Sequence, residues 1–151
     1  MMKKWTISLM LMTSVSSLAW SLSARANFNG KLIVEIDGLQ NKQGQVCASI
    51  FSSSQGFPSD RKRALQKQCT QISETPLTLT FDNLKAGSYA VAVIQDLNGD
   101  GTLNRNNLGM PVEPFGFSLN PEVRNSAPKF GDAAFILAGP STVIQIQMRK
   151  L

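Results

Sequence analysis

The sequence predicts an all-β chain, an antiparallel sandwich of about seven short strands with one short helix. Three observations carry that reading. Apolar and polar residues alternate with period two over 31–37, 77–81 and 142–149, the mark of strands buried on one face. Turn signals rich in Gly, Pro, Asn and Ser separate the apolar segments, as at 38–44, 52–58 and 82–88. Only one stretch, 61–68, carries helix signals, with Ser59 and Asp60 placed to cap it and Ala64 and Leu65 facing inward.

The N-terminus has a different character. Lys3 and Lys4 precede a mostly apolar run from Trp5 to Trp20, and Ala24 and Ala26 give the small-residue spacing that a signal peptidase reads. The run is shorter than the roughly 18–20 residues that span a bilayer. Residues 1–26 therefore read as a signal peptide cleaved after Ala26, with a retained membrane helix as the alternative. No Cys stands at the cleavage point to carry a lipoprotein anchor. Periplasmic or extracellular localisation follows, with no membrane span once the signal is removed.

Residues 27–151 read as one domain. Removing 26 of the 151 residues leaves 125, enough to bury roughly two-thirds of the unfolded-chain surface. Lys3, Lys4 and Arg25 leave with the signal, so 15 basic residues fall to 12 against the same 10 acidic ones, a net charge of +2. So small a charge gives no reason to invoke nucleic acid. In an oxidising compartment, the two cysteines, Cys47 and Cys69, read first as a disulfide, worth about 3 kcal/mol in the chain-entropy model. A redox pair or metal site has neither a C-x-x-C spacing nor a His to support it.

Leu32, Val34 and Ile36 alternate with Lys31, Glu35 and Asp37, giving a first strand, and 45–51 is its expected hairpin partner. The segment 69–73 reads as a third strand. Leu77, Leu79 and Phe81 alternate with Thr78 and Thr80 in a fourth, and 82–88 is expected to turn. The nearly continuous apolar run 89–95 suits a central strand. Strands near 133–137 and 142–149 close the chain. In the last, Thr142, Ile144, Ile146 and Met148 share one face opposite Val143, Gln145, Gln147 and Arg149. The stretch 96–129 stands apart. A compact domain seldom carries about 30 structureless residues unless they are functional or held by a ligand.

That stretch begins with Asp96-Leu97-Asn98-Gly99-Asp100-Gly101-Thr102, the front half of a calcium loop. Oxygen-bearing side chains two residues apart converge when the chain curls, Gly101 permits the bend, and the Thr102 carbonyl adds an oxygen. Asn104, Asn106 or Asn107 could supply more, with Glu113 as a third carboxylate. The expected metal set is therefore Asp96, Asn98, Asp100, Thr102, Asn106 and Glu113, with calcium as the ion. The twelfth position is Asn107 rather than Glu, so this is not an EF-hand. A hydrated turn of Asx bonds and positive-φ residues explains the same sequence.

The residues Gly87-x-Tyr89-Ala-Val-Ala-Val93, then Asp96-x-Asn98-x-Asp100-Gly101-x-Leu103-x-x-Asn106, then Gly109-x-Pro111-x-Glu113-x-x-Gly116-Phe117-Ser118 resemble domain-of-unknown-function family 2141, small exported bacterial proteins. The likeness runs from about Leu32 to the C-terminus. Asn104 stands where the family usually has Asp, and Leu119 where a second Asn is common. The resemblance implies export and a β-sandwich of the prealbumin-like or carboxypeptidase-regulatory kind. It brings no activity.

Pro111 and Pro114 stiffen the segment 109–118. Phe115 and Phe117 there either pack on the sandwich or line a groove for an envelope or protein ligand. Glu113 has Arg124 or Lys129 as candidate partners. The chain contains no His, which removes Ser-His-Asp and Cys-His catalysis and the usual zinc centres. No phosphate-cradling or dinucleotide motif is present. The expectation is a non-catalytic exported module of unknown biological role, a calcium-stabilised binding or structural protein of the cell envelope. The alternatives are a hydrolase using Asp96, Asp100 and Glu113, and a weak binder of anionic envelope components through Arg61, Lys62, Arg63 and Lys67.

Overall fold

Leu32, Val34 and Ile36 lie on one side of strand β1 (Asn29–Asp37) and are fully buried, as their spacing requires. Each contributes about 1.5–3 kcal/mol of hydrophobic stabilisation. The computed structural model describes residues 29–151. The expected signal peptide, residues 1–26, and its cleavage after Ala26 lie outside the described residues.

Two sheets form the all-β sandwich expected from the sequence. In the first, β1 lies between β4 (Leu77–Lys85) and β8 (Ser141–Gln147). In the second, the order is β3 (Gln66–Gln71), β2 (Gln45–Phe51), β5 (Gly87–Asp96), β6 (Phe115–Phe117), and β7 (Phe135–Leu137) also pairs with β5. Val46, Ala48, Ile50, Val91 and Val93 of the second sheet meet Leu32, Val34, Leu79 and Phe81 of the first in the main core. Every pairing between these strands is antiparallel except β1 with β8, which is parallel, placing Val34 beside Ile144.

The hairpin expected between 31–37 and 45–51 does not form. Both strands present an apolar face, and the connection 38–44 carries the chain across the core, so the strands stack in opposite sheets rather than pair. The fourth strand runs past Phe81 to Lys85 through a bulge between Gly30 and Leu32 of its partner. Asn83 takes φ 60° there, and Leu84 returns inward.

The helix expected over 61–68 is a single 3-10 turn, Arg61–Arg63, with Asp60 Oδ1 accepting the Lys62 amide at 3.1 Å. Leu65 N–H donates to Ile50 O at 2.7 Å and the chain then joins β2 as β3, three residues ahead of the expected third strand. Sheet pairing overrides local helical preference here, and the Cys47–Cys69 disulfide joins directly opposed residues of β2 and β3. The short α-helix α1 is instead Phe130–Ala133.

Around β2, β5 and β6 the second sheet is covered on both faces, while its edge strand β3 is largely exposed. Phe51, Ala90, Ala92, Phe115 and Phe117 form a cluster on the outer side of the sheet with Ala133, and Phe57, Leu103 and Val123 from the loops and Phe130 of α1 pack on it. This second burial explains the continuous apolar run in β5. Phe115 also exchanges backbone hydrogen bonds with Arg149, at 2.9 and 2.8 Å, tying β6 to the chain after β8. No helix among the described residues is long and apolar enough to cross a membrane.

Candidate functional site

Asp96 ends β5 and is 0% exposed. Burying a carboxylate is costly unless its oxygens are met by donors. Its Oδ1 accepts the amides of Gly99 at 2.8 Å and Asp100 at 3.2 Å, and its Oδ2 accepts Gly101 N–H and Gln45 Nε2, both at 2.8 Å. The loop can curl around this one side chain because Gly99 and Gly101 take φ of 78° and 75°.

Glu113 is 3% exposed and closes the loop from the far side. Its Oε1 accepts Leu97 N–H at 2.8 Å and its Oε2 accepts Asn104 N–H at 2.9 Å. Neither partner suggested by the sequence reaches it. Arg124 is bound to Glu122 at 2.8 Å, and backbone amides serve Glu113 in place of a cation.

Asp100 lies in solvent between Asn98 and Asn104. Its Oδ1 accepts the backbone N–H and the hydroxyl of Thr102, each at 2.8 Å, and its Oδ2 accepts Asn98 Nδ2 and Asn104 Nδ2, each at 3.0 Å. These bonds, the Thr102 amide foremost, hold its pKa down at about 2. Asn106 belongs to a separate turn, where its Oδ1 accepts the amides of Leu108 and Met110 at 2.9 and 3.0 Å.

The residues expected to hold calcium are thus divided. Asp96, Asn98, Asp100 and Thr102 make one hydrogen-bonded turn, Glu113 braces its back, and Asn106 shapes the hairpin tip beyond it. Among the described residues, no group of three or more His, Cys, Asp or Glu is placed to hold a metal ion. One polar atom stands apart: Asn104 Oδ1 is buried and lacks a hydrogen-bond partner.

The braced loop forms one wall of a groove of about 430 Å3 on the outer face of the second sheet. Pro58 and Arg61 form a second wall, and Val123 and Asn125 belong to a third. The floor includes Ala92, Ile94, Phe115 and Phe117. Phe115 and Phe117 are 2% and 5% exposed, so they pack on the sandwich as the first of the two sequence readings has it, and both are among the residues bordering the groove.

Arg61 fixes the wall position. Its Nε donates to Ser49 Oγ at 3.0 Å and one terminal nitrogen to Gly101 O at 2.7 Å, tying β2 to the Asp96 loop. The basic cluster read from the sequence is therefore split. Arg61 turns inward, Arg63 lies 3.4 Å from Asp60, and Lys62 and Lys67 are exposed. The sequence gives no sign that Arg61 and Arg105 line one groove, because the loops that carry them are distant in the chain.

A family model described as an uncharacterized protein conserved in bacteria (DUF2141) matches residues 34–145, which include the groove floor and all three of its loop walls. No curated protein and no solved structure matches the chain.

Proposed function

The chain belongs to the DUF2141 family of proteins conserved in bacteria, and from that premise we propose that it is an exported, non-catalytic binding module of the cell envelope whose ligand occupies the groove over Phe115 and Phe117. One observation carries the reading. The groove has the size and make-up of a small-molecule site, an apolar floor with a few fixed polar groups at its edge, in the usual range of about 300–1,000 Å3. Export rests on the N-terminal pattern of Lys3, Lys4, the apolar run and Ala24 and Ala26, and the Cys47–Cys69 bridge suits an oxidising compartment. The hydrolase alternative gains little, because Asp96 and Glu113 are buried and point both oxygens at hydrogen-bond donors.

The test uses protein expressed from its full sequence and an uncharged apolar fluorophore, phenylnaphthylamine. Saturable binding of one probe per chain, abolished when Ser126→Trp fills the groove from its exposed rim, is the expected result. Binding that is absent, or indifferent to that substitution, would leave the scaffold without a ligand site.

Calcium is a second reading, favoured by Asn104 Oδ1. This buried acceptor lacks a donor although its own amide nitrogen lies 3.0 Å from Asp100 Oδ2. An ion shared by Asn104, Asp100, Asn98 and Thr102 would satisfy it. A melting midpoint raised by calcium, lowered again by chelator and unresponsive in Asp100→Asn would establish the ion, and equal midpoints in calcium and chelator would remove it.

A further inference from the structure

The groove carries an excess of one charge. Arg61, Arg105 and Arg124 line it, and no Asp or Glu does. Arg124 is neutralised by Glu122 through contacts of 2.8 and 3.0 Å. The other two differ. Among the described residues, no carboxylate lies within salt-bridge distance of Arg61 or Arg105. A guanidinium has five N–H groups. Arg105 uses one of them on Gly109 O, at 2.8 Å. Arg61 uses two on oxygen, and a third faces the Cys69 sulfur, a weak acceptor, at 3.4 Å. Both therefore keep donors for an anion on the wall of a groove lined by no acidic side chain; Leu151, which ends the chain, also lines it, but its carboxylate is not within salt-bridge distance of either arginine.

The rest of the groove is apolar. Ala92, Ile94 and Leu103 continue the surface of the two phenylalanines, and at the lip Leu108 and Met110 are 83% and 48% exposed. No Tyr lines the groove, and Phe115 and Phe117 show too little of their faces for a sugar ring or base to stack on. A purely polar anion would leave this floor and lip unused. A neutral lipid would leave the two arginines unmet.

We infer that the groove takes a single-chain amphiphile with an anionic head, carboxylate or phosphate, the head bound by Arg61 and Arg105 and the chain lying over Ala92, Ile94, Phe115 and Phe117. This rests on the binding reading above and narrows it to a ligand class. Guanidinium groups suit both head chemistries because their donors match paired oxygens.

The experiment titrates isotope-labelled protein, expressed from its full sequence, with sodium dodecanoate, dodecyl phosphate, dodecanol and acetate. All are kept below micelle-forming concentration. The expected result is saturable shifts of the Ala92, Ile94, Leu103 and Phe117 amides with the two anionic amphiphiles, and none with acetate. Arg105→Gln weakens that binding about ten- to a hundredfold, and Arg105→Lys recovers part of the loss. The tighter of the two anionic probes separates a fatty-acid source from a phospholipid-derived one. Dodecanol binding as tightly as dodecanoate, or Arg105→Gln leaving both unchanged with its fold intact, overturns the inference and leaves the groove as a ligand site. Absence of shifts in the groove with all four probes overturns the inference as well. If phenylnaphthylamine also fails to bind, the binding reading falls with it.

Discussion

Glu113 receives the backbone N–H of Asn104 at 2.9 Å across nine residues of chain, while its second oxygen takes Leu97 N–H at 2.8 Å. A hydrogen bond to a charged acceptor is worth about 1.5–3 kcal/mol, and an orphaned buried donor adds a penalty. Glu113→Gln turns one acceptor oxygen into a donor facing an N–H. It is expected to lower unfolding stability by about 2 kcal/mol in urea melts. A variant as stable as the parent would remove Glu113 from its bracing position.

Asp100 gives the loop a pH dependence. Its folded-state pKa is lowered from the usual 3.8 to about 2 by hydrogen bonds, led by that from the Thr102 amide. A depressed carboxyl adds stability above its unfolded value and loses it as pH falls through the folded one. Stability is therefore expected to decline between pH 3.8 and about 2, and Asp100→Asn should flatten that part of the acid titration. An identical acid profile in the variant would show that the Thr102 and Asn contacts do not persist in solution.

The Cys47–Cys69 bridge closes a loop with a sequence separation of 22. Loop closure of that order stabilises by about 3 kcal/mol, through the unfolded state. It also anchors β3 beside Arg61, whose terminal nitrogen lies 3.4 Å from Cys69 Sγ. Replacing both cysteines by Ser is expected to cost about 3 kcal/mol in chemical unfolding and to loosen the Arg61 wall. A loss near zero would mean that the unfolded chain is already restrained without the bridge.

Both tryptophans, Trp5 and Trp20, lie in the expected signal peptide. Protein recovered from the cell envelope should show no tryptophan emission and begin at Asn27. Tryptophan emission in the envelope-derived protein would show that the N-terminal segment is retained.

Much of this was legible from local pattern. Period-two alternation located β1 and β8, the nearly continuous apolar run identified β5 as a central strand, and glycines at 99 and 101 marked the curl after Asp96. Long-range features were not. The parallel partnership of β1 with β8 and the stacking of β1 over β2 depend on how the whole core closes. The segment 61–68 has helical character by itself, but Gln66 and its neighbours find their hydrogen bonds along β2. Glu113 is legible in the sequence as a candidate carboxylate, with Arg124 or Lys129 as its expected partner. Its partners are backbone amides, which carry no side-chain signature in sequence. The groove was invisible for a related reason: its walls come from three separated loops, and only the fold brings Arg61 and Arg105 to one opening.

The groove exists only if the 96–113 loop holds its shape through Asp96 and Glu113, and amide hydrogen exchange by NMR in chelator-containing buffer reads that shape residue by residue. Slow exchange is expected at Leu97, Gly101 and Asn104, whose N–H groups are held by these two carboxylates at 2.8–2.9 Å. Exchange at those three amides as fast as in an unstructured peptide, while β5 stays protected, would contradict it.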